Sequence, residues 1–156
     1  MISGYLIGDV ETIAKLDRIT PAVKGKLKQS INSLTLKLLA HVKSDKLSGQ
    51  VLHVRTGRLR RSINQRLMED ATLITGVVGT NVEYARYHEY GFNGDMHIRE
   101  HLRKAKDKFV VVAAHTRHVN YPAHSFLRSA LRDMEEEIKA GMGKALTEGA
   151  REAFGR

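Results

Sequence analysis

The residues of this chain best suited to chemistry are eight histidines and a scattering of carboxylates. His97-x-x-x-His101 and His115-x-x-His118 have the spacing of metal ligands, and His88 stands beside Glu89 and near Glu83, the arrangement of a proton-exchanging acid–base pair. Each constellation lacks its remaining members. His97 and His101 have no adjacent glutamate of the kind a zinc-protease helix carries, His115 and His118 have no trailing Asn and His, and carboxylates do not cluster around either pair. No nucleophile accompanies His88. The chain has no cysteine, which excludes a thiol nucleophile, a cysteine zinc site and a disulfide framework. No glycine-rich loop joins a strand to a helix, so phosphate-loop and dinucleotide signatures are absent. The sequence therefore implies no catalytic residue, no metal site and no cofactor. The competing role for Tyr84, Tyr87 and His88 is to pack and hydrogen-bond a short helix in place.

A second group is electrostatic. Arg55, Arg58, Arg60, Arg61 and Arg66 put five guanidinium groups within twelve residues. Such a cluster can meet phosphates or the carboxylates of a partner through bidentate pairs, or simply be a solvated surface. No aromatic residue is interleaved in it, so it is not a platform for stacking single-stranded bases. The formal charge of +9 is unevenly placed: residues 1–50 carry net +4, residues 51–120 net +5, and residues 121–156 are balanced. A polyanion is a reasonable partner, yet no block of five or six like charges forms a binding tail.

Elements of both kinds must position these residues. Thr20-Pro21 is a helix-start signal, and Val23, Leu27, Ile31, Leu34, Leu38 and Val42 then form one helical stripe that Ser48-Gly49 ends. A shorter helical piece is expected near Asp9–Leu16. Thr56 is placed to cap a short helix bearing the arginines, and Asn81 to cap another that Gly91 stops. Segments 62–67 and 71–79 read as strands joined at Glu69-Asp70, and 109–114 as a third, extended or followed by Val119–Tyr121. A closing helix is capped by Ser125 and carries Leu127, Leu131, Met134, Ile138, Met142, Leu146 and Ala150 on one face. Within it, Gly141 and Gly143 each cost about 1 kcal/mol relative to Ala, and imply a bend or a face where another chain comes close. Alternation puts His97, Arg99, His101 and Arg103 on one side of a strand or within a basic hairpin. The fold class is α+β: a small antiparallel β-sheet packed by a long N-terminal helix and a long C-terminal helix, one domain over residues 1–156, with a basic hairpin or extended insertion at 92–121. No window is apolar for the length of a membrane span, and residues 1–8 lack the features of a signal peptide, so a soluble protein without membrane partners is expected.

Three segments in order carry a resemblance. Thr56-Gly57-Arg58-Leu59-x-x-Ser62-Ile63 comes first. Val78-Gly79-Thr80-Asn81-x-x-Tyr84-Ala85-x-x-His88-Glu89-Tyr90-Gly91 follows, and then Phe126-Leu127-Arg128-x-Ala130-Leu131. Together with the long first helix they resemble the tail-completion (neck) proteins of tailed bacteriophages and prophages, over roughly residues 20–150. The resemblance implies a small α+β domain without enzymatic activity, located in the virion neck or tail and in the host cytoplasm during assembly. It implies a homo-oligomeric ring, commonly hexameric, at the head–tail junction around the DNA channel. Its partners would be the head connector or adaptor and the tail-tube or tail-terminator proteins, with non-specific contact to passing DNA. Two departures stand out: the stretch between Gly91 and Phe126 is longer than in compact relatives, and His124-Ser125 stands where an Arg-Pro pair commonly precedes the Phe.

On that reading Arg58, Arg61, Tyr84, Tyr87, His88, Glu89, Phe126 and Arg128 are expected at subunit or partner interfaces, and Arg55, Arg60, Arg66, Arg99, Arg103 and Lys104 toward DNA. The alternative is a free basic nucleic-acid-binding protein that grips a duplex with its middle region. A third reading makes His88 and Glu89 the acid–base pair of a hydrolase.

Overall fold

The computed structural model describes residues 2–6, 21–71, 73–106 and 108–153. The Thr20 cap and the expected helix near Asp9–Leu16 lie outside the described residues. Helix α1 runs Pro21–His41 and widens into a π-helical stretch, Val42–Gln50. Ser48 and Gly49 leave helical geometry there, Gly49 with φ of +130° that suits a residue without Cβ. The stripe read from the sequence is the buried face: Val23, Leu27, Ile31, Leu34, Leu38 and Val42 are all buried.

That face covers a three-stranded antiparallel sheet of order β1-β3-β2, with β1 Ile2–Leu6, β2 Asn64–Glu69 and β3 Ile74–Thr80. Gly76 lets helix and sheet approach: a Cβ there would lie 2.0 Å from Thr35 Oγ1. Thr35 is itself buried and returns its hydroxyl to Ile31 O at 2.6 Å, so its polar atom is satisfied inside the core. The turn after β2 closes through Asp70 N–H to Leu73 O. Strand β2 turns Asn64, Arg66 and Met68 to solvent and Gln65 and Leu67 inward, the alternation of a sheet covered on one face.

The third strand corrects the sequence reading. It is Ile2–Leu6, paired with β3 from Ile2↔Thr80 to Leu6↔Gly76. The valine-rich run expected there lies in a separate arm.

Short helix α2 Arg58–Ser62 precedes β2 and α3 Ala85–Tyr90 follows β3, and the C-terminal helix is broken into α4 Leu127–Asp133 and α5 Glu135–Ala153. Asp133 accepts from Lys46 and from His41 and fastens α4 to the π-helical stretch. Lys46 and then His41 hold its carboxyl below the ordinary value. Helix α5 lies along α1, so it reaches the sheet through that helix. A Cβ on Gly149 would fall 2.6 Å from Val23 Cα, and one on Gly141 3.1 Å from Leu34 Cδ1. What comes close at Gly141 is thus α1 of the same chain and not another chain, while Gly143 has nothing within 4 Å. Leu38, Val42, Leu47, Ile63, Val78, Phe126, Leu127 and Met134 form the main core, where each large side chain contributes about 1.5–3 kcal/mol by burial.

Between α3 and α4 the chain leaves this body. Strands β4 Phe92–Ile98 and β7 His115–Tyr121 pair antiparallel. Beyond bends at Arg99-Glu100 and Ala113-Ala114 the same hairpin continues as β5 His101–Ala105 and β6 Lys108–Val112.

Candidate assembly site

The second and third sequence motifs meet at one carboxylate. Glu89, on α3, is fully buried, and its carboxylate sits at the N-terminus of α4. Oε2 accepts from the backbone N–H of Phe126 at 2.8 Å and of Leu127 at 2.9 Å. Oε1 accepts from Arg128 N–H at 2.9 Å, Arg128 Nε at 3.1 Å and the Ser125 hydroxyl at 2.7 Å. Arg128 also donates to Glu89 O at 2.7 Å and lays its guanidinium 4.7 Å from the Tyr90 ring centroid. Five donors thus converge on one anion at a helix start, where backbone donors are unpaired and the dipole is positive. Burial works to raise the Glu89 pKa, but the N–H groups of Leu127 and Arg128, the Ser125 hydroxyl and the Arg128 guanidinium outweigh it and hold the group below its ordinary value.

This geometry corrects three readings. The cap of the last helical region is Glu89, and Ser125 serves that carboxylate instead of capping the helix itself. Glu89 and Phe126, both fully buried within the chain, present no side-chain surface to a neighbour. Nor is Glu89 free to exchange protons with His88: its oxygens are held by α4, while His88 Nδ1 lies 2.7 Å from the Tyr121 hydroxyl. The hydrolase reading loses its pair.

His88 joins the joint to the root of the arm. Its carbonyl accepts from His124 N–H at 2.6 Å, and its ring meets Tyr84 and Tyr121 edge to face at 5.8 and 5.3 Å between centroids. Burial first, then the neighbouring His124, lowers its pKa from the ordinary 6.5. Gly91 ends α3 with φ of +75°, and a Cβ there would sit 2.8 Å from Tyr121 O and 2.9 Å from Ala123 N. Tyr87 meets Phe92 edge to face at 5.3 Å and carries the Arg86 guanidinium on its ring. Asn81, expected as a cap, is exposed; the hydroxyl of Thr80 takes Val82 N–H instead, at 3.1 Å.

The arginine motif forms one wall of a cleft of about 720 Å³ between residues 52–61 and α3. Leu47, Leu52 and Leu59 line it, with His53, Tyr84, His88 and the arginines 55, 58, 60 and 61. Gly57, at φ of +69°, precedes α2, and Thr56 Oγ1 accepts from Arg58 N–H at 3.4 Å. Arg66 stands apart from the cleft, on the solvent face of β2.

The arm carries the remaining candidates. Leu102 faces Val111 and Lys104 faces Phe109 across one side of the outer ladder, while Arg103 faces Val110 on the other. Arg103 and Lys104 therefore point to opposite sides, and Arg99 occupies the bend between ladders. Leu102, Phe109, Val110 and Val111 are 66%, 70%, 51% and 60% exposed. His118 pairs with Asp95 at 2.8 Å, His97 lies opposite Thr116, and His101 opposite Val112. Among the described residues no three His, Cys, Asp or Glu side chains converge as metal ligands would.

Residues 32–154, which contain all three motifs, match the phage virion morphogenesis family. The chain belongs to that family. No curated protein and no solved structure matches it. A member of the phage virion morphogenesis family is a structural or assembly component of the phage particle. No helix among the described residues is long and apolar enough to cross a membrane. Within this family member the motifs mark an internal joint as much as a surface. Of the expected contact residues Glu89 and Phe126 face inward, whereas Arg58, Arg61 and Arg128 remain exposed and Tyr84, Tyr87 and His88 are half-buried. Sequence reasoning passed over Tyr121 and Ser125 as partners of the joint and the apolar side of the arm. The run Phe109–Val112 was the available signal for the arm.

Proposed function

We propose that this protein is a tail-completion or neck protein that forms a ring, most simply a hexamer, at the head–tail junction around the DNA channel. The observation that carries the reading is the arm. A two-stranded hairpin is marginal by itself in water, and this one holds Leu102, Phe109 and Val111 in solvent together on one side of its outer ladder. Contiguous exposed apolar surface on a soluble domain marks a contact site. Seating each arm on the next subunit is a heterologous contact, and such contacts repeat until a ring closes. Head connector or adaptor and tail-tube or tail-terminator proteins are the partners on the two rims. The basic residues of the first three quarters of the chain, Arg66, Arg99, Arg103 and Lys104 among them, give passing DNA weak contacts that do not read sequence.

Light scattering on a size-exclusion column, with negative-stain imaging, tests this. Rings, alone or on adding connector or tail-tube protein, are expected, and Phe109→Ser with Val111→Ser abolishes them. A monomer under all these conditions that binds duplex DNA tightly at physiological salt would overturn the ring in favour of a free nucleic-acid-binding protein.

A further inference from the structure

The arginine cleft differs from the charged surface of the long helices α1 and α5. There several cations are paired: Lys28 meets Glu69 at 2.6 Å, Lys26 meets Glu152 at 3.3 Å, Lys37 meets Glu137, and Lys139 meets Glu135 at 2.8 Å. Arg55, Arg58 and Arg60 are exposed at the mouth of the cleft, and among the described residues no carboxylate pairs with any of them or with Arg61. Arg61, also exposed, folds back on its own loop, with Nη2 donating to Thr56 O at 3.3 Å. Below this rim lie the side chains of Leu47, Leu52 and Leu59.

We propose that this cleft receives an acidic segment of a partner protein. Its carboxylates meet Arg55, Arg58 and Arg60, and one large apolar side chain rests on Leu47, Leu52 and Leu59. The volume is that of a site for a side chain and its flanking backbone. Guanidinium groups pair carboxylates bidentately, which favours a peptide acid over diffuse attraction. The apolar floor speaks against DNA, because a phosphate backbone gains nothing from leucine. The aromatic wall does not supply a base-stacking surface either, since Tyr84 and His88 are turned edge to face onto one another. The occupant is not this chain's own arm, whose Arg99, Arg103, Lys104, Lys106 and Lys108 would be repelled. Nor is it the acidic start of α5, where Glu135 and Glu136 share Lys139 and Glu137 holds Lys37. A different protein, acidic with one apolar anchor, fits the charge and the floor. This assignment stands apart from the ring, since imaging of particles reports on assembly and peptide binding on the cleft.

The test is fluorescence anisotropy with the full chain at near-physiological salt. The probes are a labelled nine-residue peptide of Asp and Glu with a central Phe, the same peptide with central Ala, and a labelled 18-base-pair duplex. The Phe peptide is expected to bind, to lose at least tenfold in affinity with Arg58→Glu plus Arg60→Glu, and to keep it with Arg103→Glu on the arm. The Ala peptide is expected to bind at least tenfold more weakly. Should the double glutamate variant lose its thermal transition, Arg58→Gln plus Arg60→Gln supplies the same comparison. Absence of peptide binding overturns the proposal. So does equal affinity for the two peptides, or an equal loss with Arg103→Glu, because each leaves only general charge attraction. A duplex that binds more tightly than the peptide and depends on the same arginines assigns the cleft to nucleic acid instead.

Discussion

The joint around Glu89 and the arm at 92–121 adjoin in the chain and are built on opposite principles. In the joint every strong polar group is answered: one buried carboxylate gathers five donors from residues 125–128. In the arm the backbone is paired, but large apolar side chains are left to water. The joint's polar groups are satisfied within one chain, whereas the arm's apolar side chains are left exposed by it. The difference shows that residues singled out by a resemblance need not form a contact surface. Here the most specific residues hold α3, α4 and the arm's root together, and the less regular stretch between them is what reaches outward.

That contrast breaks most readily at Glu89. Glu89→Ala leaves the buried N–H groups of Phe126 and Leu127 without acceptors, and is expected to cost about 3–5 kcal/mol in denaturant unfolding. Glu89→Gln keeps the shape and one acceptor oxygen and should cost less. A catalytic role would instead leave stability unchanged in Glu89→Gln. Next in size is Gly91→Ala, which combines positive φ with a contact to Tyr121 O and Ala123 N and is expected to cost about 1–3 kcal/mol. Arm and body should then loosen together, read as faster amide exchange in β4 and β7.

Acid sharpens the comparison further. The folded pKa of His88 lies below 6.5, so the contribution of the neutral ring is whole above pH 6.5 and declines as pH falls through the lower folded value. Glu89 behaves likewise around a lower window: its contribution is whole above pH 4.5 and is lost as pH falls through a folded value beneath that. Melting temperature should therefore fall in two stages, the upper absent in His88→Gln and the lower reduced in Glu89→Gln, where Asp133 and other carboxylates held below their ordinary values still titrate. A single stage retained in both variants would place the titrating groups elsewhere. The smallest effect on stability belongs to the arm. Phe109→Ser with Val111→Ser removes exposed apolar surface and is expected within about 0.5 kcal/mol of the parent in the same unfolding experiment. A large loss there would mean that the arm's apolar side is packed within its own chain.

The two regions also differ in how far the sequence revealed them. Helix α1 was legible because its stripe is purely periodic, and the end of α3 because only glycine suits the turn at position 91. The Glu89 joint was hidden: residue 89 meets residues 125–128 across the whole arm, and no local pattern records so distant a pairing. Phe109–Val112 was misplaced for a related reason. An apolar run fits a core strand and an assembly surface equally well, and only its partner strand decides. Strand β1 escaped notice because Ile2–Leu6 is short and carries a glycine at its centre.

The root of the arm has a mechanical consequence. Strand β4 starts one residue past Gly91, at the end of the helix that carries Glu89. Strand β7 ends at Tyr121, whose hydroxyl meets His88 and which leads within a few residues to the Glu89-capped start of α4. Both legs of the hairpin are thus anchored in one block. Tension applied at the tip is delivered to that carboxylate clamp and, through α4 and Asp133, to Lys46 and His41 at the end of the longest helix. The arm is a lever with a fixed foot, and whatever seats its tip pulls on the core.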